Sequence, residues 1–288
     1  MRPDIVVLTA DRYEMLAPAS VALALRIPLA HIEGGESSEG AIDDAVRNAL
    51  TKLSHVHFTS TEAARARVIS MGEEPWRVHR TGAAALDHLK RSQLLSREQV
   101  EEKLGIDLGR PTAVVTFHPM TIARDTLREA DGFFSAIKFM SGQLLFCYPN
   151  ADAGSRALIE RVESLSRERA DSRAFVNLDP ILYWSLLQYV DLLVGNSSSG
   201  IIEAASFGLP VVNVGMRQQG RERGRNVLDA EATVESILDR IDAARNEEFR
   251  RSLKGMENPY GDGWASKRIV AALASVPLGE ELLIKRWK

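Results

Sequence analysis

A two-lobed α/β fold built on parallel sheets is predicted by three observations. Short β-branched runs alternate with longer stretches of helical period, the rhythm of βα units rather than of a bundle or a sandwich. The chain has 288 residues, more than one hydrophobic core normally organises. The rhythm gives way once, after Asp87, to "LKRSQLLSREQVEEKLGIDLGRP", a charged helical stretch ending in glycine and proline that marks a domain connection.

Taken in order, "DIVVLT", "LAHI", "VHFT" and "RVHRT" read as strands of a first lobe over residues 1–91. Residues 41–53 and 62–71 carry helical period between them. The second lobe, residues 92–264, follows with "TAVVTF", "QLLFCY", "RAFVNL", "DLLVG" and "PVVNV" as strands. Helices are expected at 155–166 and 201–207. The tail, 265–288, is amphipathic and suited to packing back onto the first lobe. Open α/β sheets hold ligands at a switch point that needs strands on both sides. Here a strand with its charged loop follows Met1 almost at once, so the first lobe reads as one whose opening βα units are absent.

Bulk properties narrow the partners. Formal charge is −3 with both signs interspersed, so neither a basic face for nucleic acid nor a polybasic block for a membrane surface is present. The lone cysteine, Cys147, can form neither an internal disulfide framework nor a cysteine-only zinc site, which fits a reducing cytoplasm. No HxxxH, HExxH or paired-cysteine spacing occurs, so no metal and no cofactor is expected. The start lacks a signal-peptide pattern, and no uncharged stretch reaches transmembrane length.

The chemistry-bearing residues cluster at expected strand ends. A strand ending at Val194, then Gly195, Asn196, Ser197, Ser198 and Ser199 before a helix, aims free backbone N–H groups at whatever lies above it, a seat for phosphate. A serine that merely caps the helix, a role worth about 1 kcal/mol, is the plainer reading of Ser197 or Ser198. Glu203, a turn further on in an otherwise small and apolar segment, could grip a ribose diol, or be a solvated acid. Of four following arginines, Arg217 is nearest a strand end and suits phosphate oxygens; Arg221, Arg223 and Arg225 read mostly as solvated.

Other strand ends add His118 with Pro119, and Asn150 with Asp152. In the first lobe they carry Asp11 and Arg12, then Glu33 and Glu36 in "HIEGGE", followed by Asp43, Asp44 and Arg47 on a helix. Converging carboxylates serve proton transfer at carbon, since burial and crowding raise some acids toward neutrality. Asp43 with Arg47 also has the spacing of an ordinary helical ion pair. His31, His55 and His57 read as core residues rather than ligands.

These residues lie within "ADRYEMLAPA", "IPLAHIEGGESSEGAIDDAVRNALTKLSHVHF", "TFHPMT", "YPNADAGS" and "GNSSSGIIEAASFGLPVVNVGMRQQGRERGRNVL". In combination and order the chain resembles the hydrolysing UDP-N-acetylglucosamine 2-epimerases, with "GAIDDAVR" and "RQQGRERGRNV" closer to the hydrolysing branch than to the other. The resemblance implies two Rossmann-like lobes of glycosyltransferase-B type with the nucleotide sugar between them. It implies that Ser197, Ser198, Glu203 and Arg217 hold the uridine diphosphate, that Arg12 and His118 face the nucleotide sugar, and that Asp11, Glu33 and Asp43 are acid/base carboxylates with Arg47 beside them. Asn150 joins the substrate contacts.

The implied reaction removes the C2 proton, expels UDP across C1–C2 and hydrates the resulting glycal with inversion, giving N-acetylmannosamine. A homodimer is the family's usual state. The chain departs from the family in lacking the opening βα units with their basic loop, in Asn48 where histidine is usual, and in Pro18, expected to kink or delay its helix. Three alternatives follow. They are the same reaction on a UDP- or GDP-linked 2,4-diacetamido-2,4,6-trideoxyglucose, a silent nucleotide-sugar-binding remnant, and a glycosyltransferase of the same architecture, which leaves the acid-rich first lobe unexplained.

Overall fold

The computed structural model describes residues 3–9, 11–39 and 41–286. The chain divides into two compact units, one of Met1–Lys90, Gly220–Glu222 and Pro259–Lys288, the other of Arg91–Gln219 and Arg223–Asn258.

The first unit holds β1 (Val6–Thr9), α1 (Leu16–Ala24), β2 (Leu29–Ile32), α2 (Asp43–Leu53), β3 (Val56–Thr59), α3 (Glu62–Ser70), β4 (Val78–Arg80) and α4 (Asp87–Arg91). Its four strands are parallel and ordered β1-β2-β3-β4, so the described sheet runs without a reversal of direction. Pro18 falls in the first turn of α1, where a missing N–H costs no helical bond, and the chain just before it is a 3-10 turn. One face of the sheet packs Leu8 and Leu29 against Ala19, Ala22 and Leu50 of α1 and α2.

The other face packs Ala30, Val56 and Phe58 against Ile269 and Leu282, which come from late in the sequence. Asp87, buried at the start of α4, accepts the Ala265 and Ser266 N–H groups at 2.7 Å each. Two of the orphan donors of the helix beginning there are satisfied by a residue far away in sequence. Arg77, fully buried, donates to the carbonyls of Leu282 (2.8 Å), Glu281 (3.0 Å), Ile284 (2.7 Å) and His55 (3.2 Å).

His57 in β3 and His55 just before it are buried in the first unit. His57 Nε2 meets Glu73 at 3.1 Å, and Glu73 also receives Lys285 and Lys52; burial pushes its carboxyl up, but the hydrogen bonds of His57, Lys285 and Lys52 hold it down at about 2. His55 Nδ1 accepts the Leu29 N–H at 3.1 Å, and burial lowers its pKa to about 4.

The second unit runs α5 (Arg97–Leu104), β5 (Thr112–Thr116), α6 (Ala130–Phe139), β6 (Gln143–Cys147), α7 (Ser155–Glu168), β7 (Ser172–Phe175), α8 (Pro180–Leu187), β8 (Leu192–Gly195), α9 (Ser198–Ile202), β9 (Val211–Val214), β10 (Val227–Ala230), α10 (Val234–Arg245) and α11 (Glu247–Ser252). The chain then returns to the first unit with α12 (Ala265–Ser275) and α13 (Glu280–Leu283). The second sheet is parallel with order β10-β9-β8-β5-β6-β7. Its direction reverses between β5 and β8, and the loops that leave those two strands begin at Phe117 and Asn196. A doubly wound sheet opens its ligand crevice at such a place. Val115, Phe117, Phe133, Phe146, Leu158, Val194 and Val212 build the core beneath.

Two expectations are corrected here. β10 was not among the expected strands. The helix expected over 201–207 begins earlier: Ser197 caps α9, which lasts five residues, and the chain turns at Glu203 into a 3-10 segment, Ala204–Phe207, ended by left-handed Gly208.

Candidate active site

In the first unit the acids gather where β1 and β2 end. The loop after β2 is fixed by its glycines and by the cations around it. Glu33 adopts a left-handed conformation, φ 68°, held by its N–H donating to the Phe58 carbonyl at 2.7 Å. A left-handed non-glycine residue costs energy that the surroundings must supply, and such residues concentrate at functional sites. Gly35 has φ 78°, and a Cβ there would lie 2.3 Å from the Ala64 carbonyl oxygen.

Arg47, only 2% exposed, organises this region from α2. It donates to the Asp11 carboxylate, to Asp44 Oδ1 (3.2 Å), to Ser38 Oγ (3.1 Å) and to the Glu36 carbonyl (3.0 Å). Asp44 Oδ1 also accepts the Ser38 N–H at 2.8 Å, and Asn48 donates to Asp44 Oδ2 at 3.3 Å. Asp43 is the first residue of α2, next to Asp44.

Burial raises the Glu33 carboxyl above its ordinary value; the Glu36 and Asp11 charges raise it further, while Arg221 and Arg47 oppose them. Asp11, Glu33 and Arg47 are thus one electrostatic group. Arg12, 59% exposed, pairs with Glu14 at 3.3 Å.

In the second unit the ends of β5, β6, β8 and β9 are tied together. Asn196, fully buried, accepts the His118 N–H on Oδ1 (2.7 Å) and donates from Nδ2 to the His118 carbonyl (2.9 Å). Its own carbonyl accepts Arg217 Nη1 (3.1 Å) and Gln218 Nε2 (2.9 Å). The Asn150 N–H donates to His118 Nδ1 at 3.2 Å, so Asn150 enters the site through its backbone. A backbone N–H can only donate, so neutral His118 carries its proton on Nε2. Burial first, then the Arg217 charge, lower its pKa to about 3.

Gly195 allows this convergence: φ is 144°, and a Cβ would stand 1.7 Å from the Thr116 carbonyl oxygen. Ser197 takes the plainer of its two readings, its Oγ accepting the Ser199 N–H at 3.3 Å, and Ser198 opens α9. Glu203 lies at the C-terminal end of that short helix, where burial raises its carboxyl against the hydrogen bonds of Ser199 and Trp184. Tyr183 OH meets Ser199 Oγ at 2.8 Å, and burial, with Cys147 and Glu203 nearby, raises its phenol well above the usual value.

The expectation for the arginines needs correcting. Arg223 bonds Asp229 and the Gln218 carbonyl, and Arg221, 11% exposed, reaches Glu36 and Ser38 within the first unit. Sequence reasoning placed Asn196 in the phosphate loop without a role for its side chain, and passed over Ser38, Ser60, Gln218 and Tyr183. A buried asparagine directly after an apolar strand was the one signal that could have flagged Asn196, because such a side chain must find partners for both its donor and its acceptor.

Residues 1–274 match the family described as UDP-N-acetylglucosamine 2-epimerase. The chain is 37% identical over 284 residues to a UDP-N,N'-diacetylbacillosamine 2-epimerase (hydrolyzing) of Legionella pneumophila, covering 98% of this chain and 74% of that one. It is 35% identical over 246 residues to a UDP-N-acetylglucosamine 2-epimerase of Neisseria meningitidis, covering 85% and 64%. The chain thus spans roughly two thirds to three quarters of these relatives' length. Among solved structures, it is similar to UDP-GlcNAc 2-epimerase from Neisseria meningitidis bound to UDP-GlcNAc, with a TM-score of 0.81, 21% identity, and coverage of 95% of this chain and 77% of that one. That likeness speaks for the fold, and the expected α/β class is borne out. With a family match over nearly its whole length and relatives more than a third identical, the chain belongs to the UDP-N-acetylglucosamine 2-epimerase family, on the side of its hydrolysing members.

Proposed function

We propose that the protein is a hydrolysing 2-epimerase of a UDP-linked 2-acetamido sugar, releasing the C2-inverted free sugar and UDP. The observation that carries this reading is the group formed by Asp11, Glu33 and buried Arg47: carboxylates of unlike environment, one of them raised by burial, fixed by a cation around one loop. Proton abstraction and return at one carbon need acids held together at one place, and burial raises the Glu33 carboxyl toward that use.

The second unit supplies the diphosphate contacts. The anion is held by Arg217 and by the backbone N–H groups of Ser197 and Ser198, while Glu203 takes the ribose hydroxyls. A carboxylate removes the C2 proton and the C1–O bond breaks as UDP leaves. Water oxygen then adds at C1 while a proton enters C2 from the opposite face.

N-acetylglucosamine is the first sugar to test. A 2,4-diacetamido-2,4,6-trideoxy sugar is the second, favoured by the Legionella pneumophila relative and by a GDP/UDP-N,N'-diacetylbacillosamine 2-epimerase (hydrolyzing) of Campylobacter jejuni, 34% identical over 255 residues, covering 88% of this chain and 66% of that one. Incubation with each UDP-sugar, read by proton NMR, decides between them. Free epimerised sugar should appear from one of the two, and Glu33→Gln should abolish it. No product from either would refute the reading.

A further inference from the structure

The loop that leaves β5 is pinned at both ends. At its start the Asn196 side chain holds the His118 backbone; at its finish Glu129, the N-cap residue of α6, reaches the exit of β9, where its Oε1 accepts the Met216 N–H at 3.2 Å. β5 and β9 are not neighbours in the sheet. β8 runs between them, so this second contact joins the loops on either side of the strand from which Asn196, Ser197 and Ser198 leave. Arg128 adds to the hold, donating from Nη2 to the Met216 sulfur at 3.2 Å.

The fit at β9 is close. Gly215 is left-handed, φ 76°, and a Cβ there would lie 2.1 Å from Glu129 Oε2, so the carboxyl occupies space that any other residue at 215 would need. The Gly215 N–H is spent on the Ala230 carbonyl, and the Met216 carbonyl accepts the Gln219 N–H, each at 2.9 Å. Met216 to Gln219 thus form a turn whose inner residues are Arg217 and Gln218. Both of those side chains donate to the Asn196 carbonyl, at 3.1 and 2.9 Å. Burial raises the Glu129 carboxyl, while the Met216 N–H and the Arg128 charge oppose it. Its Oε2 is buried without a hydrogen-bond partner among the described residues, so the side chain serves the turn as an acceptor at Oε1 rather than as a charge.

We propose that Glu129 is a positioning residue for Arg217: its Oε1 fixes the turn from which Arg217 reaches the diphosphate. Glu129 itself does not touch the ligand. The diphosphate part rests on the epimerase reading; the hold on the Arg217 turn stands on contacts within the second unit alone.

Two measurements on the intact chain test this. Nitrogen-15 NMR of the arginine side chains needs no ligand. The Arg217 Nε–H signal, identified by its loss in Arg217→Gln, should broaden or move toward that of free arginine in Glu129→Met, which keeps the bulk and drops the acceptor. Glu129→Gln, which keeps an oxygen for the Met216 N–H, should recover the signal. Calorimetry with UDP then closes a double-mutant cycle. Glu129→Met should weaken UDP binding about five- to tenfold when Arg217 is present and less than about twofold when it is glutamine, because the effect runs through that one side chain. Glu129→Gln should recover most of the lost affinity. Glu129→Asp, one methylene short of Met216, should give the same responses at smaller size if the methionine variant folds poorly. An Arg217 signal that ignores the loss of the acceptor, or equal losses of UDP affinity in both backgrounds, overturns the proposal. A wild-type chain that binds no UDP, with the NMR response intact, supports the hold on Arg217 and refutes the epimerase reading; UDP binding with an unmoved Arg217 signal leaves that reading in place and overturns the role of Glu129.

Discussion

The side chain of Asn196 grips the backbone of His118 from both sides, accepting its N–H at 2.7 Å and donating to its carbonyl at 2.9 Å. β5 and β8 are neighbours in the sheet, and this clamp fixes the two loops that leave them at the switch point. Asn196→Ala leaves two buried backbone groups without these partners, a loss of about 2–4 kcal/mol. The urea midpoint should fall accordingly, and UDP affinity measured by calorimetry should weaken by about tenfold or more. An alanine variant as stable as the wild type would show that the clamp does not hold the site.

Acid should destabilise the protein most steeply between pH 4.5 and 3. Buried His118 and His55 have folded pKa values of about 3 and 4, below the unfolded value of 6.5, so the unfolded chain binds protons that the native chain refuses. Their contribution is complete above pH 6.5 and is lost as pH falls toward those values. Each costs up to about 1.4 kcal/mol per pH unit. Glu33 and Glu203, raised in the folded state, act in the other direction above pH 4.5 and offset part of this loss there. Below 4.5 that offset ends, and Glu73, held at about 2, begins to lose its own contribution. Urea midpoints measured from pH 7 to 3 should show a shallow upper range and a steep lower one. His118→Gln should flatten the lower range by about one proton; an unchanged slope would mean His118 is not buried neutral.

Gly35 and Gly105 are both left-handed, with φ 78° and 64°, yet their alanine variants should differ. At Gly105, which ends α5, no atom lies within 4 Å of the added Cβ, so only the backbone penalty of about 1 kcal/mol applies. At Gly35 the Cβ would meet the Ala64 carbonyl oxygen at 2.3 Å, and either the Glu33 loop or α3 has to move. Gly35→Ala should cost about 3 kcal/mol or more and remove activity, whereas Gly105→Ala keeps it. Equal thermal melts for the two variants would contradict the close packing described for that loop.

Much of the fold was legible because parallel strands buried on both faces carry unbroken apolar runs, as "LLVG" and "TAVVT" do. β10 escaped because "VLDA" lies at the sheet edge, with only Ala230 of its four residues fully buried, and Asp229 accepts from Asn213 rather than facing a core. The helix after β8 was misplaced because three serines with a glycine look like loop by propensity; capping by Ser197 overrides that weak preference. Site residues near their own strand ends, such as Glu33 and His118, could be named from spacing. Arg221 could not, since its partners Glu36 and Ser38 lie more than 180 residues earlier, a distance no local pattern spans. The same limit hid the clamp of Asn196 on His118.

Turnover in deuterium oxide tests the central claim most directly, because a carboxylate pair that takes one proton from C2 and returns another must leave solvent hydrogen at that carbon. Proton NMR of the reaction with the accepted UDP-sugar should show the free C2-inverted sugar fully deuterated at C2, alongside UDP in equal amount. Released sugar that keeps its original C2 proton, or its original configuration, would contradict the account.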